Sequence, residues 1–164
     1  MPDASESESE PVVEIASSVL GEMFAHARDA LPNECCGLLV GTEARIERAE
    51  RARNLKASPT RYEIDPADHF RSIRGARAEG LSVIGAYHSH PRTAPEPSPT
   101  DLIEASDSAL LCVIVSPATG EALGEQVGGF RLVEDRFVRV ALVVGDSRRP
   151  RTTRSIGGEP RSTA

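Results

Sequence analysis

The apolar positions of this 164-residue chain change their period repeatedly, which is typical of a domain that mixes helices and strands. From residue 12 to residue 31 they recur every three or four positions, and Pro32 follows where a helix would end. A second helix is expected to begin at Pro66, with Gly80 as its C-terminal cap. The predicted helices cover residues 12–31, 66–79 and 99–109.

Shorter apolar runs between these helices predict strands. The run at 81–90 is apolar at most positions, which indicates a central strand buried on both faces. Residues 35–41 and 44–52 are expected to pair as a hairpin, with Gly41 in or near the turn. The predicted strands cover residues 35–41, 44–52, 61–65, 81–90, 110–116, 126–133 and 136–144. We therefore predict a single α/β domain in which a mixed β-sheet is packed between helices.

Length and composition agree with one globular domain. The chain is long enough for one substantial core and too short for two, and its residues are 39% hydrophobic and 27% charged. The longest apolar runs, at 109–116 and 140–145, have the length of strands and fall far short of the roughly 20 residues that a membrane-spanning helix needs. The net charge of −6 argues against a general nucleic-acid binder, which is normally basic. We expect neither a membrane nor a nucleic-acid partner.

Both ends of the chain differ in composition from its middle. Residues 1–11 are rich in Ser and Glu and residues 145–164 are basic and polar, so we expect two disordered tails around a domain at 12–144. The first residues lack the charged-then-apolar pattern of a secretory signal. Three cysteines, two of them adjacent at Cys35 and Cys36, make a poor disulfide framework. These features predict a cytoplasmic protein.

The stretch "YHSHPRTAPEPSPTD" (87–101) carries the candidate chemistry. His88 and His90 lie two positions apart at the end of the predicted central strand, so both side chains point to the same face of the sheet. Neutral imidazole is a good zinc ligand, and Asp101 is the obvious third ligand of a site that keeps one position for water. The spacing makes these three residues the candidate ligands of a metal site.

The same residues also have an ordinary structural interpretation. "SPTD" (98–101) is typical of a helix N-terminus, with Ser98 as the N-cap, Pro99 at the first helical position and Asp101 in a capping box. A histidine at the end of a strand is likewise often a hydrogen-bonded structural group. Spacing alone therefore leaves the metal site and the capped helix as open alternatives.

A carboxylate elsewhere in the chain completes a longer pattern. Glu34 directly precedes the predicted strand "CCGLLVG" (35–41), far upstream of "HSHP" (88–91). Seven residues separate His90 from Ser98, and two separate Ser98 from Asp101. This ordered set resembles the JAMM motif of the JAB1/MPN/Mov34 metalloprotease family. The segments "ECCGLLVG", "YEIDPADHFRSIRGARAEGLSVIGAYHSHP" and "SPTDLIEA" also look like its small, stand-alone prokaryotic members, over roughly residues 12–143.

The resemblance implies a role for each residue of the motif. His88, His90 and Asp101 would be the ligands of a Zn²⁺ ion, with a water as the fourth ligand. Glu34 would be the general base that takes a proton from this water and later protonates the leaving amine. Ser98 would donate a hydrogen bond to the developing oxyanion. The fold implied is a mixed sheet between helices, related in shape to the cytidine deaminases, although their H-x-E and P-C-x-x-C signatures are absent from this sequence.

The resemblance also implies a substrate class. Members of this family cleave peptide or isopeptide bonds after the C-terminal Gly of ubiquitin or ubiquitin-like proteins. Stand-alone bacterial members are associated with ubiquitin-like sulfur-carrier proteins, whose C-terminus they trim or from which they release cysteine. We therefore expect a zinc-dependent hydrolase that acts on the C-terminal tail of such a carrier, including a carrier–cysteine adduct.

Two other functions stay open. One is a non-catalytic MPN scaffold that binds partners without metal, although such scaffolds have typically lost ligand residues and none is missing here. The other is the DNA-repair-associated RadC branch, which usually shows "HNHP" and lacks a Glu before a Cys-Gly-Leu strand. The acidic chain shows no basic stripe for DNA.

Three further residues near the motif are expected to be structural. Cys35 and Cys36 adjoin Glu34, but a cysteine nucleophile needs a histidine partner and a lowered thiol pKa. We interpret both as small core residues that face opposite ways on their strand. Ser89 lies between the two histidines and points to the other face, where we expect it to form a structural hydrogen bond.

Overall fold

The computed structural model describes residues 10–105, 110–117 and 123–145. Residues 1–9 of the predicted acidic tail, and the predicted basic tail from residue 146 onward, lie outside this range. The helices are α1 (Ser17–Ala30), α2 (Pro66–Ala78), α3 (Pro99–Glu104) and α4 (Leu123–Gln126). The strands are β1 (Val12–Ala16), β2 (Cys36–Thr42), β3 (Arg45–Ala52), β4 (Ser82–Ser89), β5 (Leu111–Val115), β6 (Val127–Val133) and β7 (Arg136–Gly145).

The strands form one mixed sheet in the order β1-β3-β2-β4-β5-β6-β7, which closes through parallel pairing of β1 with β7. β4 lies in the middle of the sheet, as its apolar sequence predicted, and it runs antiparallel to β2 and parallel to β5. The mixed sheet packed between helices is confirmed. Its closure was not predicted, because closure depends on a pairing between the two ends of the domain that no local pattern reveals.

The two faces of the sheet bury different residues because successive side chains of a strand alternate. Leu39, Tyr87 and Val113 lie in the main core, to which α1 contributes Leu20, Met23 and Phe24. The neighbouring positions Cys36 and Leu38 face the other way and pack with Tyr62 and Ile64 in a second, smaller cluster. His88 pairs with Cys36 in register and therefore emerges on this second face.

Two predicted elements were wrong. Residues 12–16, predicted as the start of the first helix, form strand β1, in which exposed and buried positions alternate and each residue pairs with β7. The helix begins only at Ser17. Residues 61–65, predicted as a strand, form only an isolated bridge between Ile64 and Asn54. Their period-two pattern arises in an irregular loop, in which Tyr62 and Ile64 both pack on the smaller cluster.

The remaining elements agree with the predictions to within a few residues. Helix α2 ends at Ala78, and Gly80 follows with a φ of 71°, a left-handed conformation that favours glycine. Helix α3 ends at Glu104 among the described residues, and residues 106–109 of the predicted helix lie outside them. Within the described part of the chain, no helix is long and apolar enough to cross a membrane.

Candidate metal centre

The two histidines lie where strand β4 ends. His88 is fully buried between Cys36 of β2 and Ile114 of β5, its register partners on either side. His90 follows the strand, and its backbone amide donates to the Val115 carbonyl at 2.9 Å. Both rings point to the same face, as the spacing of two predicted, and their centroids are 5.0 Å apart.

Asp101 is brought to the histidines by the start of helix α3. Ser98 is the N-cap: its hydroxyl accepts a hydrogen bond from the Asp101 amide at 3.1 Å. In return the Asp101 carboxylate accepts from the Ser98 amide at 2.8 Å, which completes a capping box. The capped-helix interpretation is therefore confirmed. It does not exclude a metal site, because the same carboxylate also faces both histidines.

The three side chains converge on one point. The Nε2 atoms of His88 and His90 are 3.1 Å apart, and each lies 3.2 Å from an oxygen of Asp101. Ligands about 2.0–2.2 Å from a tetrahedral zinc ion are about 3.3–3.5 Å from one another. The observed separations are close to these values. His88, His90 and Asp101 can therefore hold one metal ion, and two imidazoles with one carboxylate form a donor set that suits zinc.

The two imidazole rings are oriented in different ways. His90 Nδ1 lies 3.0 Å from the Ala94 carbonyl, and because a carbonyl only accepts, this nitrogen carries the hydrogen and leaves Nε2 free as a ligand. His88 Nδ1 is buried and finds no hydrogen-bond partner among the described residues. Instead, the Tyr62 ring stacks on the His88 ring, with centroids 4.4 Å apart and planes inclined by 21°.

The charges of the cluster favour a cation. Burial opposes ionisation of Asp101, but hydrogen bonds from His88 and His90 outweigh it and hold the pKa of this carboxyl well below its usual range. Burial lowers the pKa of His88. Burial also acts to lower the pKa of His90, but its hydrogen bonds to Asp101 and to the Ala94 carbonyl raise it above the ordinary value. The carboxylate is thus ionised and available as a ligand.

Glu34 lies beside this cluster in the sheet register. β2 and β4 pair Cys36 with His88, and continuing this antiparallel register by two residues sets Glu34 next to His90. Glu34 is only 4% exposed, and its Oε2 has no hydrogen-bond partner among the described residues. Burial raises its pKa to about 8; His90 opposes this shift, and the negative charge of Asp101 adds to it. Such a carboxyl is poised to exchange a proton near neutral pH.

The proline-rich loop that connects the histidines to Asp101, residues 91–97, is attached to the sheet. The Ser116 hydroxyl donates to the Thr93 carbonyl at 2.5 Å, and Glu96 forms an ion pair with Arg139. A Cβ on Gly128 would lie 2.5 Å from the Pro95 carbonyl oxygen, so this glycine lets the loop lie directly on strand β6. These contacts hold the Ala94 carbonyl where it meets His90.

The other polar residues near the motif are structural, as predicted. The Ser89 hydroxyl accepts a hydrogen bond from the Cys35 amide at 2.8 Å and so fastens the start of β2 to β4. Cys35 and Cys36 are both buried, in the main core and in the smaller cluster respectively. Burial raises their pKa values to about 11 and about 12, which keeps both as unreactive thiols.

Sequence reasoning missed two residues at the site. Tyr62 lies on His88, and Asn54 hydrogen-bonds the backbone of Glu34 with an Nδ2–O distance of 3.1 Å. Tyr62 also lines a cavity of about 480 Å³ that reaches Asp101 and has Ile64 and Cys112 among its walls. Both missed residues lie in an irregular loop whose contacts carry no periodic signal. Their nearness to the site follows only from the tertiary structure.

Comparison with known families shows which family the chain belongs to. The model of the prokaryotic homologues of the JAB domain matches residues 16–127, which is more than half of the chain. The chain belongs to the prokaryotic JAB family. The resemblance to the JAB1/MPN/Mov34 metalloproteases is thereby confirmed, and the motif of Glu34, His88, His90, Ser98 and Asp101 lies inside the matched JAB domain.

Curated relatives of this JAB domain include proteins named as a peptidase and as a desampylase. The CysO-cysteine peptidase of Mycobacterium tuberculosis is 32% identical over 125 residues, which cover 75% of this chain and 84% of that protein. The desampylase of Haloferax volcanii is 34% identical over 110 residues, which cover 63% of this chain and 79% of that protein. These alignments span most of each relative.

Solved structures agree with the fold. A protein from Desulfitobacterium hafniense, solved in solution, has a TM-score of 0.76 and 31% identity, with 84% of this chain and 95% of that chain covered. A JAB1/MPN domain protein from Archaeoglobus fulgidus has a TM-score of 0.52 and 19% identity, with 80% of this chain and 96% of that chain covered. The closed mixed sheet described above is therefore the architecture of a JAB domain.

Proposed function

We propose that this JAB domain is a zinc-dependent hydrolase that cleaves a peptide or isopeptide bond after the C-terminal glycine of a ubiquitin-like or sulfur-carrier protein. The observation that carries the proposal is the approach of His88, His90 and Asp101 to within 4.8 Å of one another beside a buried carboxyl. Glu34 is that carboxyl. Burying ionisable groups costs free energy, so packing alone does not explain why four of them lie together at the end of a central strand.

The donor set fits zinc, and the chemistry of the metal suits amide hydrolysis. His88, His90 and Asp101 would hold the ion, with Nε2 of His90 made available by the hydrogen bond from Nδ1 to the Ala94 carbonyl. Zinc held by these residues would supply a coordinated water with a pKa of about 7 and would polarise a carbonyl group. The remaining steps depend on the side chains of the chain itself.

Glu34 is the proposed general base and acid. Its carboxylate takes a proton from the attacking water and later gives it to the amine that leaves, so that one group serves both halves of the reaction. Its buried position keeps it from ion pairs that would stabilise the carboxylate permanently, since its Oε2 has no partner among the described residues. The raised pKa, about 8 in the chain without metal, makes the Glu34 carboxylate a stronger base toward the attacking water than an ordinary glutamate.

Ser98 is the proposed oxyanion donor. Its oxygen already accepts the hydrogen bond from the Asp101 amide at 3.1 Å, so the hydroxyl hydrogen is available to donate toward substrate. The capping box fixes this hydroxyl next to the carboxylate of Asp101. Such fixed donors stabilise the tetrahedral intermediate because they need no reorganisation as charge develops.

The substrate class rests on the relatives and on the shape of the site. Relatives are named a CysO-cysteine peptidase, a desampylase and a probable TtuB-protein conjugate cleaving protease. The backbone of a diglycine tail can come close to a metal ion because glycine has no side chain that would keep it away. The cavity that reaches Asp101 offers an extended chain a place beside the cluster.

The test is cleavage of a ubiquitin-like carrier extended after its C-terminal glycine by cysteine, by a short peptide or through a lysine side chain. Zinc-loaded wild-type protein is expected to release the extension and leave the carrier ending in glycine, as intact mass would show. Glu34→Gln with full zinc is the matched control and is expected to cleave at only a small residual rate. Binding of the carrier without cleavage by either protein would favour the scaffold, and DNA binding would favour the RadC-like alternative.

A further inference from the structure

The loop between β3 and α2, residues 53–65, contacts three parts of the proposed site. The Ser58 carbonyl accepts a hydrogen bond from the Glu34 amide at 2.9 Å. Tyr62 stacks on His88. Arg61 forms an ion pair with Glu104 of helix α3, the helix that Ser98 caps. A segment without regular structure thus joins the proposed base, one proposed ligand and the helix that carries another.

One side chain holds this loop in shape. The carboxamide of Asn54 uses its full hydrogen-bonding capacity of two donors and two acceptors. Its Oδ1 accepts from the amides of Lys56 and Glu63, both at 3.0 Å. Its Nδ2 donates to the carbonyls of Glu34 and Arg61, both at 3.1 Å. A fully satisfied, half-buried carboxamide of this kind fixes the backbone around it.

Three of the four partners of Asn54 are a residue of the proposed site or a neighbour of Tyr62. Arg61 and Glu63 flank Tyr62 in the sequence. The Asn54 carboxamide therefore hydrogen-bonds the backbone on both sides of the residue whose ring stacks on His88. The Glu34 carbonyl is held by Asn54, and the Glu34 amide is held by the Ser58 carbonyl of the same loop. Both backbone polar groups of the proposed base are therefore bonded to this loop.

Tyr62 can orient the ring of His88 by stacking, whereas the ring of His90 is oriented by a hydrogen bond. The His90 ring is oriented by its bond to the Ala94 carbonyl, whereas the buried Nδ1 of His88 has no partner among the described residues. Ligand histidines are normally oriented by such a second bond. For His88 the stacked ring of Tyr62 is the contact that can set its plane.

From these contacts we infer that Asn54 is a positioning residue, which sets the Glu34 backbone and the Tyr62 ring relative to the proposed metal ligands. The expected effect of Asn54 on turnover rests on the proposed function, whereas its effect on the position of the loop does not. Asn54 itself touches neither His88, His90 nor Asp101 through any hydrogen bond of the described residues. Its loss should therefore impair turnover without removing the metal.

The structural part is tested by amide hydrogen exchange on the full chain without metal. In Asn54→Ala, and in the isosteric Asn54→Asp that loses only the donors, the Glu34 amide is expected to exchange at least about tenfold faster. The Ser116 amide, which donates to the Gln126 carbonyl at 2.8 Å outside the loop, is the internal reference and should be unchanged. Unchanged exchange of the Glu34 amide in both variants would overturn the inference. If the alanine variant does not fold, the exchange rate in Asn54→Asp is the deciding measurement.

The catalytic part is tested by a double-mutant cycle on the zinc-loaded protein. Asn54→Asp is expected to lower kcat at least about tenfold with KM within about threefold and zinc content unchanged. In the Glu34→Gln background the same substitution should change the residual rate less than twofold, because it acts through Glu34. An equal loss in both backgrounds would overturn the inference.

Charge alone is controlled by Asn33→Asp. Asn33 immediately precedes Glu34, and its side chain forms no hydrogen bond with any described residue, so the substitution adds the same charge without removing a bond. It should leave kcat within about twofold, and a loss as large as that of Asn54→Asp would count against positioning. If Glu34→Gln cleaves as fast as wild type, the proposed reaction is wrong, while the exchange data still decide the role of Asn54.

Discussion

The carboxylate of Asp101 accepts a hydrogen bond from the Ser98 amide at 2.8 Å while the same oxygen lies 3.2 Å from Nε2 of His90. One side chain thus caps a helix and faces two imidazoles. The two interpretations of "SPTD" that the sequence left open describe the same geometry. The helix cap holds the carboxylate toward both imidazoles, which is the orientation that the proposed metal site needs.

Removing the carboxylate charge should separate the two roles. Asp101→Asn can still accept from the Ser98 amide, so helix α3 should stay capped, and the metal-free protein should lose only the stabilisation that the carboxylate charge gains from His88 and His90. Zinc affinity should fall by at least about a hundredfold, because a ligand is lost rather than an outer contact. Competition with a chelator measures the affinity, and thermal unfolding measures the stability. Unchanged zinc affinity would show that Asp101 only caps the helix.

Ser98→Ala is the complementary change. The N-cap bond is lost, which should cost about 1 kcal/mol of stability, while the zinc content should stay the same. Turnover should fall about a hundred- to a thousandfold if the hydroxyl stabilises the oxyanion. The comparison of kcat with the amount of bound zinc is decisive here. A rate that falls only in proportion to lost zinc would leave Ser98 as a cap and nothing more.

Replacing the Tyr62 ring should weaken metal binding without touching a ligand. Tyr62→Leu removes the stacked contact on His88, whose buried Nδ1 has no partner among the described residues, and zinc affinity should fall about tenfold. Tyr62→Phe keeps the ring and serves as the control, with affinity within about twofold of wild type. Equal affinities for the leucine and phenylalanine variants would show that stacking does not orient His88.

The buried carboxyl of Glu34 should make the stability of the metal-free protein depend on pH. Its pKa is raised from 4.5 to about 8 by burial, so between these values the folded chain holds a proton that the unfolded chain has lost. The contribution of this group to stability is therefore complete below pH 4.5 and is lost as the pH rises toward 8. The difference in unfolding free energy between wild type and Glu34→Gln isolates this effect from the titration of the histidines. A difference that does not change between pH 4.5 and 8 would mean that Glu34 ionises normally.

Much of the fold was accessible from local patterns because its central elements are strongly periodic. The strand at 81–90 was recognised by its apolar run, and α2 by the proline and glycine at its ends. Residues 12–16 were assigned to a helix because their apolar positions continue those of α1, whereas pairing with β7 makes them a strand. That pairing joins opposite ends of the domain, and tertiary contacts of this kind override local spacing.

The approach of the three proposed ligands could be predicted, but the support around them could not. A spacing of two on a strand places His88 and His90 on one face, and a short proline-rich loop limits how far Asp101 can lie from them. Asn54 and Tyr62, by contrast, occupy an irregular loop. Their contacts with Glu34 and His88 bring together residues 20 and 26 positions apart in the chain, and neither asparagine nor tyrosine in a loop signals such a contact.

Zinc content per chain, measured by elemental mass spectrometry on the purified protein expressed with zinc, tests the central claim most directly. Wild type is expected to contain about one zinc per chain, and His88→Ala is expected to contain almost none, since the proposed site depends on all three donors. Glu34→Gln should retain the metal, because Glu34 lies outside the donor set. A wild-type protein without zinc, or a His88→Ala variant that keeps it, would contradict the proposed metal centre.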